Sequence, residues 1–124
     1  MEPTENSAEL TLNIPKLLVR TDNDHELLLE LLHVFQDGCP ALMQKVESAV
    51  SREEMQSVAR SCHALKGMLA NLSAERAAAA ALQLEKIASS GQRSQLAGAL
   101  ATLRCEVSAL SAELTAYLES TKSK

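Results

Sequence analysis

Apolar residues in this chain recur at three- and four-residue steps over most of its length, the spacing that lines one face of an α-helix. Leu28, Leu31, Leu32, Phe35, Cys39, Leu42, Val46 and Ala49 form one stripe. Met55, Val58, Ala59, Cys62, Leu65, Leu69 and Leu72 form a second. Leu96, Leu100, Leu103, Val107, Leu110, Leu114 and Tyr117 step by fours and threes, the seam of a helix bundle. Composition closes off the alternatives. Leu and Ala supply 40 of the 124 residues, while Trp is absent and Phe and Tyr occur once each. With so few β-branched and aromatic residues, a β-sandwich or barrel is excluded. A doubly wound nucleotide-binding sheet has neither strands nor a glycine-rich turn to build from.

Punctuation between the stripes divides the chain. Asn13-Ile14-Pro15 opens a short helix to about Arg20, with Asn13 as cap and Pro15 in the first turn. Thr21–Asp24 is a turn that caps a long helix over about 24–49. Gly38 and Pro40 interrupt that helix. Its apolar step stays in phase across them, so a kink at Pro40 is expected rather than a boundary. Ser51, with Glu54 three residues on, reads as a capping box for the third helix. Ser73 reads as the cap of a fourth, about 74–89, whose inner face is Ala77, Ala80, Ala81, Leu84 and Ala88. Ser89-Ser90-Gly91 ends it, and a last helix runs over about 92–119. The expected fold is all-α, an antiparallel up-and-down four-helix bundle over 13–120 with a short extra N-terminal helix. Flexible segments are expected at 1–12 and 121–124.

Charge and cysteines bound the partners. The net charge is −4 with no basic block, which gives nucleic-acid binding no electrostatic support. No apolar run is long enough to span a membrane, and the start MEPTENSAEL lacks the apolar core of a secretory signal. Cys39, Cys62 and Cys105 form no CxxC pair. They read as reduced, buried thiols in a cytoplasmic protein.

One segment departs from plain bundle logic. His63 lies roughly 130° from the apolar centre of its helix, so it points outward. Ala59, Gly67 and Ala70 surround it on the same face, the smallest side chains available. Arg60 and Lys66 stand three residues to either side. A glycine inside a helix costs about 1 kcal/mol relative to alanine. Placed one turn after an exposed histidine, it points to close approach by another group. A flanking cation favours an anion there. An accessible imidazole that accepts a phosphoryl group fits these features; an ordinary surface histidine fits them as well.

The wording of the segment adds to this. Cys62-His63-Ala64-Leu65-Lys66-Gly67, followed by Asn71-Leu72-Ser73-Ala74, resembles the signature of histidine-containing phosphotransfer (HPt) domains. Asp24-His25-Glu26-Leu27-Leu28, Leu31-Leu32, Phe35 and Pro40-x-Leu42 resemble that family's first long helix, and Leu84-Glu85 its third. The similarity spans about 13–118. Cys62 stands where the family often has Ala, and Ser73 where Gly is frequent.

The resemblance implies roles. His63 would be the phosphorylated residue, exchanging the group with a receiver aspartate. Lys66 would counter the added charge, and Gly67 would leave room for the receiver. Glu85 matches a position where a Glu or Gln often hydrogen-bonds the histidine ring. Helical geometry alone leaves Glu85 and Gln83 both within reach. The expected partners are response-regulator receiver domains and a sensor or hybrid histidine kinase, met by a monomer, with Mg²⁺ bound by the receiver and no cofactor on this chain. No phosphate-binding loop is visible, so the chain is expected to carry phosphate rather than act as a kinase. It could stand alone or form part of a larger hybrid kinase. Glu30-x-x-His33 has di-iron spacing but no second copy, so no metal is expected. Leu27, Leu29 and Met68 are candidates for a docking face. The alternative function is a helical interaction module whose histidine is never phosphorylated.

Overall fold

The computed structural model describes residues 12–122. Helices α1 (Ile14–Arg20), α2 (His25–Ser51), α3 (Met55–Asn71), α4 (Glu75–Ser89) and α5 (Leu96–Lys122) follow in order, with a 3₁₀ turn at Arg93–Gln95 before α5. There is no strand among the described residues. Each long helix packs on the next, and α5 closes back on α2, giving an up-and-down four-helix bundle with α1 beside α2. Ordered contacts continue a residue or two beyond the expected 13–120. Leu12 is buried, and its N–H donates to the Glu113 carboxylate at 3.2 Å. α5 continues through Lys122. The remaining expected flexible residues, 1–11 and 123–124, lie outside the described ones.

The core is the three stripes read from the sequence, joined by the small face of α4. Leu28, Leu32, Phe35, Val46, Leu65, Leu69, Leu84, Leu103 and Leu110 are sealed from solvent. Each contributes about 1.5–3 kcal/mol of apolar burial. Ala77, Ala80 and Ala81 are buried on α4, letting it lie close against α3. The stripes shift by one residue in places. Met43 and Leu118 are buried where Leu42 and Tyr117 were expected, and these two are only partly covered.

α2 runs unbroken through Pro40. Pro40 lacks the N–H that would reach the Gln36 carbonyl. Gly38 marks a close packing point instead of a boundary: a Cβ there would stand 3.3 Å from Cε of Met68 on α3.

Two cap assignments are corrected. Ser51 is the last residue of α2, and α3 starts at Met55 behind Glu54, with no side-chain cap. Ser73 likewise does not cap α4, whose N-cap is Ala74. The cause is how each helix ends. Asp22, Glu53, Ser73 and Gly91 all have φ between 55° and 71°. Each follows a helix C-cap in the left-handed conformation of a Schellman turn. The paired backbone bonds are present: Glu53 N–H to Val50 O and Glu54 N–H to Ala49 O, both 3.0 Å, then Ser73 N–H to Ala70 O at 2.9 Å and Ala74 N–H to Leu69 O at 3.0 Å. Asn13 and Asp24 do cap their helices, accepting from Lys16 and Leu27 N–H.

α1 straps the α3–α4 turn. The Arg20 guanidinium donates to the Ala70 carbonyl at 3.1 Å and to Ser73 Oγ at 3.5 Å, and Lys16 pairs with Glu75. That pairing holds the Glu75 carboxyl below the usual carboxylate range.

Candidate functional site

α3 presents one ionisable ring to solvent at mid-length. The His63 side chain is 69% exposed. Its helix neighbours Val58, Cys62, Leu65 and Leu69 fill the core on the opposite side, which fixes the outward direction of the ring. Ala64, Gly67 and Ala70 beside it are exposed and small. A Cβ built at Gly67 would meet nothing within 4 Å, so no packing inside this chain requires the glycine. Arg60 is exposed on the same band.

Glu85, and not Gln83, reaches the ring. Glu85 Oε2 lies 3.3 Å from His63 Nδ1, whereas Gln83 is exposed on the other flank of α4. A carboxylate can only accept, so the contact fits a ring with its proton on Nδ1, the tautomer that leaves the Nε2 lone pair free. Glu85 is itself only 22% exposed because α4 lies close against α3. Its second oxygen, Oε1, stands 3.4 Å from Lys66 Nζ. That approach is near enough for an ion pair but not aligned as a hydrogen bond, and the enclosed Oε1 has no hydrogen-bond donor. The structure thus joins His63, Lys66 and Glu85 into one cluster, with Gly67 open beside it. The Lys66–Glu85 contact was not foreseen; its only trace in the sequence is Lys66 falling at the edge of the apolar stripe facing α4.

The cysteines divide. Burial pushes the Cys39 thiol up to about 11. Burial and the nearby Glu85 charge push Cys62 up to about 12. Cys105, expected to be buried, is exposed on α5. Among the described residues no group of His, Cys, Asp or Glu could hold a metal ion. No helix among them is long and apolar enough to cross a membrane. The docking candidates vary in exposure. Leu27 is exposed and Leu29 partly covered, and Val34, not anticipated, is 64% exposed. Leu31, Val34 and Met68 border a small notch of about 150 Å³ between α2 and α3.

A small-flanked histidine with a carboxylate at one ring nitrogen thus stands on the second long helix of a four-helix bundle. The Hpt domain family model matches residues 30–120, and the chain belongs to that family. The fold agrees. Histidine-containing phosphotransfer protein B (HptB) from Pseudomonas aeruginosa PAO1 superposes with a TM-score of 0.80 at 16% identity, over 88% of this chain and 95% of that one. The HPT domain of a Shewanella sensor hybrid histidine kinase superposes with a TM-score of 0.78 at 19% identity, over 89% and 95%. None of the curated proteins matches the chain in sequence. Its role is histidine phosphotransfer in two-component phosphorelays, and the Hpt domain is a phosphotransfer carrier. Domains of this family work with histidine kinases and response-regulator receivers.

Proposed function

We propose that His63 is the phosphoacceptor and that Nε2 is the reacting atom. The observation that carries this reading is the 3.3 Å contact of Glu85 Oε2 with Nδ1, on a ring that is otherwise exposed. The Nε2 lone pair attacks the phosphorus of a receiver's aspartyl phosphate. The P–O bond to the aspartate breaks and the carboxylate departs. The Nδ1 proton stays on the ring throughout, so no proton transfer is needed, and the ring gains a positive charge that Glu85 faces. The reverse sequence returns the group to a second receiver.

Lys66 supplies the cation for the added charge, on the order of −1.5 to −2 by analogy with other phosphorylated side chains. Gly67 keeps the approach clear. Mg²⁺ and the acidic pocket belong to the receiver. The chain works as a monomer in the cytoplasm, either alone or as one domain of a hybrid kinase, and takes its phosphoryl group from a receiver or a kinase domain.

The test is to incubate the chain with phosphorylated receiver domains and assay for acid-labile, base-stable label, with His63→Gln as control. Label on the wild type and none on the variant is the expected result. Equal label on both moves the site elsewhere. No label from any receiver of the source organism favours a helical interaction module that is never phosphorylated.

A further inference from the structure

We infer that Glu85 sets the share of phosphoryl group that His63 retains, by competing with it for the Lys66 ammonium; this rests on His63 being the phosphoacceptor. In the unmodified chain Lys66 Nζ lies 3.4 Å from Glu85 Oε1. That oxygen is enclosed and has no hydrogen-bond donor, so among the described residues Lys66 is the charge that offsets it. The other oxygen, Oε2, is engaged by the ring. Lys66 is one helical turn from His63 on the same helix, within side-chain reach of a group on Nε2.

Phosphorylation sets two anions against one cation. The phosphoryl group brings close to two negative charges and three acceptor oxygens, against one charge on Glu85. The ammonium turns to the phosphoryl group, and the misaligned contact with Oε1 gives way. An enclosed carboxylate oxygen then loses its counter-charge, and that cost falls on the phosphorylated state alone. Glu85 thereby acts as a positioning residue with two effects. Through Oε2 it holds the Nδ1 proton. Through Oε1 it withdraws Lys66 and tilts the equilibrium toward the receiver. A glutamine of the same size retains the first, because its carbonyl oxygen accepts from Nδ1–H, and abolishes the second.

The experiment is a double-mutant cycle on the transfer equilibrium. Wild type, Glu85→Gln, Lys66→Met and the double variant are each equilibrated with one purified receiver domain carrying aspartyl phosphate. The ratio of phosphohistidine to phosphoaspartate is read by ³¹P NMR, and circular dichroism checks that each variant is folded. Glu85→Gln is expected to raise the ratio by about two- to fivefold, the range for a partly exposed ion pair. In the Lys66→Met background the same change is expected not to raise the ratio, because only the lost attraction between the carboxylate and the phosphorylated ring remains. A ratio unchanged or lowered by Glu85→Gln, or raised equally in both backgrounds, overturns the proposal. Failure of the wild type to take any label is a different result: it overturns the phosphoacceptor assignment itself.

Discussion

Substituting Gly67 by alanine is expected to make the protein more stable, and substituting it by a long side chain to make its phosphotransfer slower. Alanine is favoured over glycine by about 0.8–1 kcal/mol in a helix interior. Gly67 lies well inside α3, and an added Cβ meets nothing within 4 Å, so no steric cost offsets the gain. For a domain of this size that corresponds to a rise in Tm of about 4 °C. Transfer depends on space outside the chain. Gly67→Gln puts a long side chain over the band that holds His63. It is expected to slow phosphoryl transfer from a receiver by about tenfold or more, as a displaced partner loses its attack geometry. Thermal melting by circular dichroism and rapid-quench transfer kinetics measure the two sides. A lower Tm for Gly67→Ala means that the glycine serves the fold. A wild-type rate for Gly67→Gln refutes the claim that the open patch serves a partner.

Other expectations follow from the turns, the proline and the thiols. Glu53 has φ 55° and is exposed, so Glu53→Gly is expected to stabilise by roughly 0.5–1 kcal/mol in chemical denaturation, after the entropic cost of glycine is subtracted. Pro40→Ala restores an N–H to the Gln36 carbonyl inside α2 and is expected to raise stability by about 1–3 kcal/mol; a loss indicates that the proline ring contributes packing. A thiol reagent at pH 8 is expected to modify Cys105 within minutes and to leave buried Cys39 and Cys62 intact until the bundle opens. Cys62 is raised from 9.0 to about 12 by folding. The unfolded chain therefore ionises first, and this contribution to stability is intact below pH 9 and declines as pH rises toward 12. Cys62→Ala should flatten that part of the pH profile, and an unchanged slope would contradict the burial effect.

The bundle was legible because a period of 3.6 residues is written directly into Leu28, Leu32, Phe35, Val58, Leu65, Leu103 and Leu110, all of which are buried. Helix ends were less so. Four helices finish in left-handed turns, and only Gly91 announces one by its residue type. Asp22, Glu53 and Ser73 hold the same conformation through backbone bonds that no side chain signals, and this is why Ser51 and Ser73 resembled caps. Ser73 also stands where the resemblance to the family calls for glycine, and its φ of 56° is one that glycine adopts without strain. Exposure of His63 and the open space at Gly67 could be read from helical phase. The choice between Glu85 and Gln83 could not, because phase places both on flanks of α4. Which flank of α4 faces the His63 band decides it, and that follows from how the helices are arranged around the bundle and not from the phase of α4 alone. Cys105 was missed because cysteine is usually buried, while its position on α5 lies off the buried stripe of Leu103, Val107 and Leu110 and is exposed.

Nε2 of His63 is the atom that takes the phosphoryl group in the proposed transfer. Nitrogen–phosphorus NMR on ¹⁵N-histidine-labelled chain, phosphorylated by a receiver domain, reads this directly. Coupling of phosphorus to Nε2 of His63, with the proton retained on Nδ1, is the expected result. Phosphorus on Nδ1, on His25 or on His33 would contradict the arrangement in which Glu85 holds one ring nitrogen and leaves the other to react.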